Sequence, residues 1–117
     1  MTVATTDERV AHIQGLQRLY VEYPDVALFL ATYWPADDSD DAAALHAILR
    51  GGCGDDVARW RRRIMGLLLT PVDDADKAAF VRAATRRRFP VQGPVDIVTW
   101  LGGIAMALLE IEDYLAP

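Results

Sequence analysis

Apolar residues along this chain recur at intervals of three and four, and no segment sustains strand alternation. That period is helical. A first helix is expected from about 6 to 21, with Val10, Ile13, Leu16 and Tyr20 facing inward and Thr5-x-x-Glu8 in the form of a capping box. A second is expected from about 24 to 34. Pro24 suits the first turn, where its missing N–H is not needed, and Asp25 complements the positive end of the helix dipole. Val26, Phe29, Leu30 and Tyr33 form its apolar face until Pro35 stops it. Ser39 or Asp40 can cap a third helix, which Gly51-Gly52 ends.

Asp55 is placed to cap a fourth helix. Its Val57, Trp60, Ile64, Leu67 and Leu68 share one face, Arg59, Arg62 and Arg63 lie opposite, and Asp55 and Arg59 have ion-pair spacing. Thr70-Pro71 breaks the chain. Asp73 or Asp74 caps a shorter fifth helix, to about 85, that buries Phe80 and several alanines. Two prolines and a glycine make 86–94 a loop. The last helix runs from about 95 to 115. Ile97, Leu101, Ile104, Leu108, Ile111 and Leu115 repeat along it, with Val98, Gly102, Ala105 and Leu109 as a second apolar strip. A helix apolar on more than one face is central in a bundle. Gly102-Gly103 costs about 1 kcal/mol per glycine relative to Ala, which predicts close approach by a neighbouring helix. The fold expected is all-α: a five- or six-helix compact bundle around a central C-terminal helix, one domain over 1–117 with 1–5 as a flexible N-terminus.

Composition changes this picture little. A chain of 117 residues is one domain by length and can bury a core without staples. Net charge −5 argues against general nucleic-acid binding and fits a partner with a basic surface. Cys53 is the lone cysteine, so no disulfide forms within the chain, in keeping with a reducing cytoplasm. The apolar run 97–109 is shorter than the roughly 20 residues a membrane span needs, and the N-terminus has no apolar signal core. The expectation is a cytoplasmic protein with no membrane association.

The candidate chemistry is sparse. His12 and His46 are isolated, and His46 with Cys53 alone cannot make a metal site. Cys53 lies in no nucleophile motif. No metal, no cofactor and no enzymatic activity are expected, because a catalytic site needs a convergent polar set. The acidic turn Asp37, Asp38, Asp40 and Asp41 lacks the Gly and Glu of a calcium loop: its sixth and twelfth places hold Ala42 and Ile48. It reads either as a solvated turn with a helix cap or as an acidic contact surface. In the second reading Trp34, about 100° around the helix from the inward Tyr33, reaches outward as an aromatic anchor. Trp34, Asp37, Asp38, Asp40 and Asp41 are then the candidate partner-binding residues, with Asp73, Asp74 and Asp76 as the next acidic cluster. The runs 61–63 and 86–88 are all arginine, either a phosphate-binding surface or solvated partners of the many aspartates.

Two segments and the helix between them carry a family resemblance. Leu30-Ala31-Thr32-Tyr33-Trp34-Pro35-Ala36-Asp37 resembles the motif Leu-x-x-Tyr-Phe-His-Gln-Asp of a family of bacterial immunity proteins from contact-dependent growth inhibition systems. Phe89-Pro90-Val91-Gln92-Gly93-Pro94 followed by Trp100-Leu101 is similar to that family's Tyr-x-Pro loop and Trp-Leu helix. The middle helix, with its paired-leucine end at 64–69, lies between them as in the family. Leu30, Tyr33, Asp37, Pro90, Trp100 and Leu101 match residue by residue; Pro35-Ala36 stands where the family has His-Gln, Trp34 where it has Phe, and Phe89 where it has Tyr. The resemblance implies a small helical protein that binds and neutralises a cognate toxin domain, commonly a nuclease with a basic active-site surface, as a monomer or weak homodimer. An α-helical DNA-binding regulator and a homo-oligomeric adaptor, the latter dimerising through the small residues of the last helix, remain the competing readings.

Overall fold

Proline and aspartate set the helix boundaries. In the computed structural model, which describes residues 6–36, 39–85 and 93–116, Pro24 and Pro94 each occupy a first helical position. Asp40 and Asp73 are N-caps: their side chains accept hydrogen bonds from the backbone N–H groups of Ala42 and Asp76, each at 2.9 Å. The helices are α1 (Thr6–Glu22), α2 (Pro24–Tyr33), α3 (Asp41–Gly51), α4 (Gly54–Leu69), α5 (Asp74–Ala84) and α6 (Pro94–Leu115). No strand occurs among the described residues. The fold is the all-α bundle that the periodicity predicts.

α6 is the organising element. It packs along α4 and against α5 and α3, while α1 and α2 lean on α5. Ile97, Leu101, Ile104 and Leu108 are buried on it, against Val57, Ile64 and Leu67 of α4 and Phe80 and Val81 of α5. These side chains belong to one continuous core. By length and composition α6 could cross a membrane; here its most apolar stripe forms the core of a compact globule.

Polar side chains tie the helix ends. Tyr23 and Thr70 share a buried hydroxyl–hydroxyl bond of 2.9 Å, and Thr70 also donates to the Gly66 carbonyl at 2.8 Å. Lys77, itself buried, donates its Nζ to the Leu68 carbonyl at 2.7 Å and so satisfies an orphan acceptor in the last turn of α4. Two glycines are fixed by close approach. A Cβ on Gly52 would lie 2.7 Å from the Ile48 carbonyl oxygen, and one on Gly15 would run into the buried Asp76 carboxylate of α5.

Four expectations are corrected. On α1 Leu19 is buried and Leu16 partly buried against the core, whereas Val10 and Ile13 are 46% and 57% exposed. Tyr20 is also largely exposed, although its ring meets Phe80 at 5.2 Å. Asp55 does not cap α4; Cys53 stands at the N-cap without a side-chain bond, and Asp55 falls in the first turn. Arg59 pairs with Asp56, at 3.4 Å, and not with Asp55. At Gly102 and Gly103 an added Cβ would meet nothing within 4 Å among the described residues, so none of the described helices packs closely there. The capping box at Thr5 and the segment 1–5 lie outside the described residues.

Candidate protein-binding surface

The acidic corner begins where α2 ends. Tyr33 is the last helical residue, and Trp34 leaves the helix at φ −128°, ψ 61°. This turn sends the indole inward: Trp34 is 0% exposed. Its ring meets Trp100 of α6 edge-on at 5.3 Å and Phe29 at 6.0 Å. The expectation that Trp34 reaches outward is therefore corrected. The 100° helical step does not apply to a residue already outside the helix.

A buried indole N–H needs an acceptor. Asp41, in the first turn of α3, supplies it for both tryptophans. Trp34 donates to one carboxylate oxygen and Trp100 to the other, each at 3.0 Å. This clamp joins α2, α3 and α6 at one point. Asp40 caps α3. Of the candidate residues Trp34, Asp37, Asp38, Asp40 and Asp41, the structure brings together Trp34 and Asp41, in a structural role. Asp37 and Asp38 lie outside the described residues. The second acidic cluster is likewise built in: Asp73 caps α5 and Asp76 is buried, leaving Asp74 exposed.

Three of the four arginines of α4, Arg59, Arg61 and Arg63, are engaged with carboxylates. Arg61 forms a bidentate pair with Glu112 of α6 through Nε and Nη2. Arg63 holds Asp25 at 2.8 and 3.1 Å, lies 4.7 Å from the centre of the Tyr23 ring and donates to the Glu22 carbonyl. The guanidinium of Arg63 lowers the Asp25 pKa through hydrogen bonding, and Arg61 does the same for Glu112; both guanidinium pKa values are raised in turn. The run 86–88 lies outside the described residues.

The surface also carries hollows among the described residues. One, of about 270 Å³, lies between α2 and α4 and is lined by Leu28, Phe29, Thr32, Tyr33 and Trp60, with Asp25 and Arg59 at its rim. Phe29, Tyr33 and Trp60 form an aromatic cluster there, with centroids 4.9 to 5.9 Å apart. Two others flank the end of α6. A groove of about 300 Å³ against α3 is lined by Leu45, His46, Leu49, Ala107, Glu110, Ile111 and Tyr114. A hollow of about 510 Å³ against the start of α4 is lined by Cys53, Gly54, Asp55, Ala58, Glu112, Asp113, Leu115 and Ala116. No group of three or more His, Cys, Asp or Glu able to hold a metal occurs among the described residues.

Comparison with protein-family models, curated proteins and solved structures finds no match. The geometry must therefore carry the functional argument. The α6 grooves were not legible as sites in the sequence. Their one signal was the excess of apolar residues on α6, which also describes a core helix.

Proposed function

We propose that this chain is an immunity protein of the contact-dependent growth inhibition kind, which binds and neutralises a toxin domain in the cytoplasm and catalyses nothing itself. The observation that supports this most is the meeting of one tryptophan from each resembling stretch. Trp34, in the first, and Trp100, in the second, stand far apart in sequence yet share the Asp41 carboxylate. Trp34 and Trp100 thus act as parts of one structural unit. The net charge of −5 suits a nuclease partner, whose basic surface would be drawn in by electrostatic steering. A DNA-binding regulator finds less support: Arg61 and Arg63 are held by Glu112 and Asp25, which leaves them poorly placed for phosphate.

The reading requires a neighbouring reading frame that ends in a toxin domain. Expression of that domain alone should arrest bacterial growth, and co-expression of this chain should restore it. Absence of such a frame, or growth arrest that persists while this chain is folded and abundant, overturns the proposal.

A further inference from the structure

Lys77 is the only lysine in the chain; the other eleven basic residues are arginine. It is also the one buried basic side chain among the described residues, 7% exposed, whereas Arg18, Arg50, Arg59, Arg62 and Arg82 lie on the surface. Its position explains the choice of an amine. Asp73 caps α5, and Lys77 follows one turn later on the buried face that also carries Ala78, Phe80 and Val81. The chain turns at 70–73, and Nζ reaches back to the Leu68 carbonyl at 2.7 Å. The neighbouring carbonyls of that last turn of α4 are taken by Thr70: its hydroxyl donates to Gly66 and its N–H to Leu67. A flexible stem ending in a compact donor suits the third carbonyl, where a broad planar guanidinium needs more room.

A lysine amine is an ordinary target of acyl transfer and of isopeptide tagging. To react, it must shed a proton and turn its lone pair towards an acyl donor. Nζ can do neither while it is bonded to Leu68 inside the corner between α4 and α5. Acylation would also spoil the corner. The product is larger and uncharged, so it no longer complements the negative end of α4. A close-packed site has no room for the added group.

We infer that Lys77 is a modification site gated by folding: acyl transfer to Nζ takes place only on molecules in which α5 has come away from the bundle, and the acyl group then keeps α5 from closing. The co-reactant is an activated acyl donor, a thioester, acyl phosphate or active ester. The Nζ–C bond forms as the C–S or C–O bond breaks. Of the two protons the amine loses, one goes to the leaving group and one to solvent. The folded chain thus offers no reactive lysine, and a lysine-directed mark falls on opened molecules alone. Nothing in this device depends on which partner the chain binds.

The test exposes the full chain to N-hydroxysuccinimidyl acetate at neutral pH, folded or unfolded in urea, with free Nα-acetyl-lysine in each tube as the reference. Trypsin cuts after Lys77 only where the amine is unmodified, so the uncut fragment 64–82 measures acetylation by mass spectrometry. Relative to the free lysine, the folded chain should react at least about a hundredfold more slowly than the unfolded one. Asp73→Ala removes the cap of α5 and should raise the folded-state rate severalfold while leaving the unfolded rate unchanged. Chain acetylated in urea and returned to buffer should unfold at lower urea than a mock-treated sample. Lys77→Met, compared treated and untreated, accounts for acetylation elsewhere in the chain. Comparable rates in the folded and unfolded chain reveal an open amine and overturn the gate. A folded-state rate indifferent to Asp73→Ala overturns the assignment of the opening to α5. An acetylated chain with an unaltered urea midpoint overturns the trapping.

Discussion

Replacing Asp41 tests the reasoning about the acidic corner at its strongest point. A solvated carboxylate contributes little to stability, and on sequence grounds Asp41→Asn, made together with the same change at Asp37 and Asp38, should leave the fold intact. The structure predicts otherwise for Asp41, since both its oxygens accept indole N–H groups at 3.0 Å. In Asp41→Ala the Trp34 N–H is left in a fully buried ring, whereas Trp100 is only partly buried and can turn to water. A buried donor without a partner costs about 1–3 kcal/mol, and the more accessible one less, so a loss of about 2–4 kcal/mol is expected. Asp41→Asn keeps one acceptor oxygen but turns an amide N–H₂ towards the other indole, for a loss of about 1–2 kcal/mol. For a chain of this length each kcal/mol is worth about 4 °C in melting temperature. Urea unfolding followed by circular dichroism and tryptophan fluorescence gives the numbers. A double-mutant cycle with Trp100→Phe isolates the shared bond, with a coupling of about 0.5–1.5 kcal/mol expected. A change below about 0.5 kcal/mol for Asp41→Ala, the range of ordinary surface substitutions, would refute the clamp and return Asp41 to the pool of surface acids.

Three further outcomes are expected. Gly102→Ala and Gly103→Ala should each stabilise the protein by about 1 kcal/mol in thermal melts, since a Cβ at either site meets nothing; destabilisation would reveal a close neighbour in solution. Tyr23→Phe removes the buried bond to Thr70 and should cost about 1 kcal/mol, while Thr70 keeps its bond to Gly66; an unchanged urea midpoint would contradict this. Acid should also weaken the fold. The folded pKa values of Asp25 and Glu112 are lowered by their arginines, so their contribution is complete above the ordinary carboxylate range and is lost as pH falls through the lower folded values. Arg61→Gln should flatten the acid limb of a stability–pH curve; a limb of unaltered slope shows that the Glu112 pair contributes nothing.

The helices were legible because their punctuation is local. Pro24, Pro94, Asp40 and Asp73 mark boundaries with residues that act within one turn, and the spacing from Ile97 to Leu115 shows that α6 is central. Features that depend on distant partners were not legible. The carboxylate of Asp41 is claimed by Trp100, 59 positions away, and no local pattern announces that bond. Trp34 was misplaced because a helical wheel was extended one residue past the helix. On α1 the spacing of Val10, Ile13 and Tyr20 is helical, yet spacing cannot say whether another element lies opposite. Gly102-Gly103 shows the same gap: small residues permit a close approach without supplying the neighbour.

The central claim is that this chain acts by binding a basic protein. Stopped-flow association of the purified chain with the toxin domain of its neighbouring reading frame tests it most directly. The account predicts a one-to-one complex whose association rate falls about tenfold or more between low and physiological salt. Absence of a complex, or an association rate indifferent to salt, would contradict it.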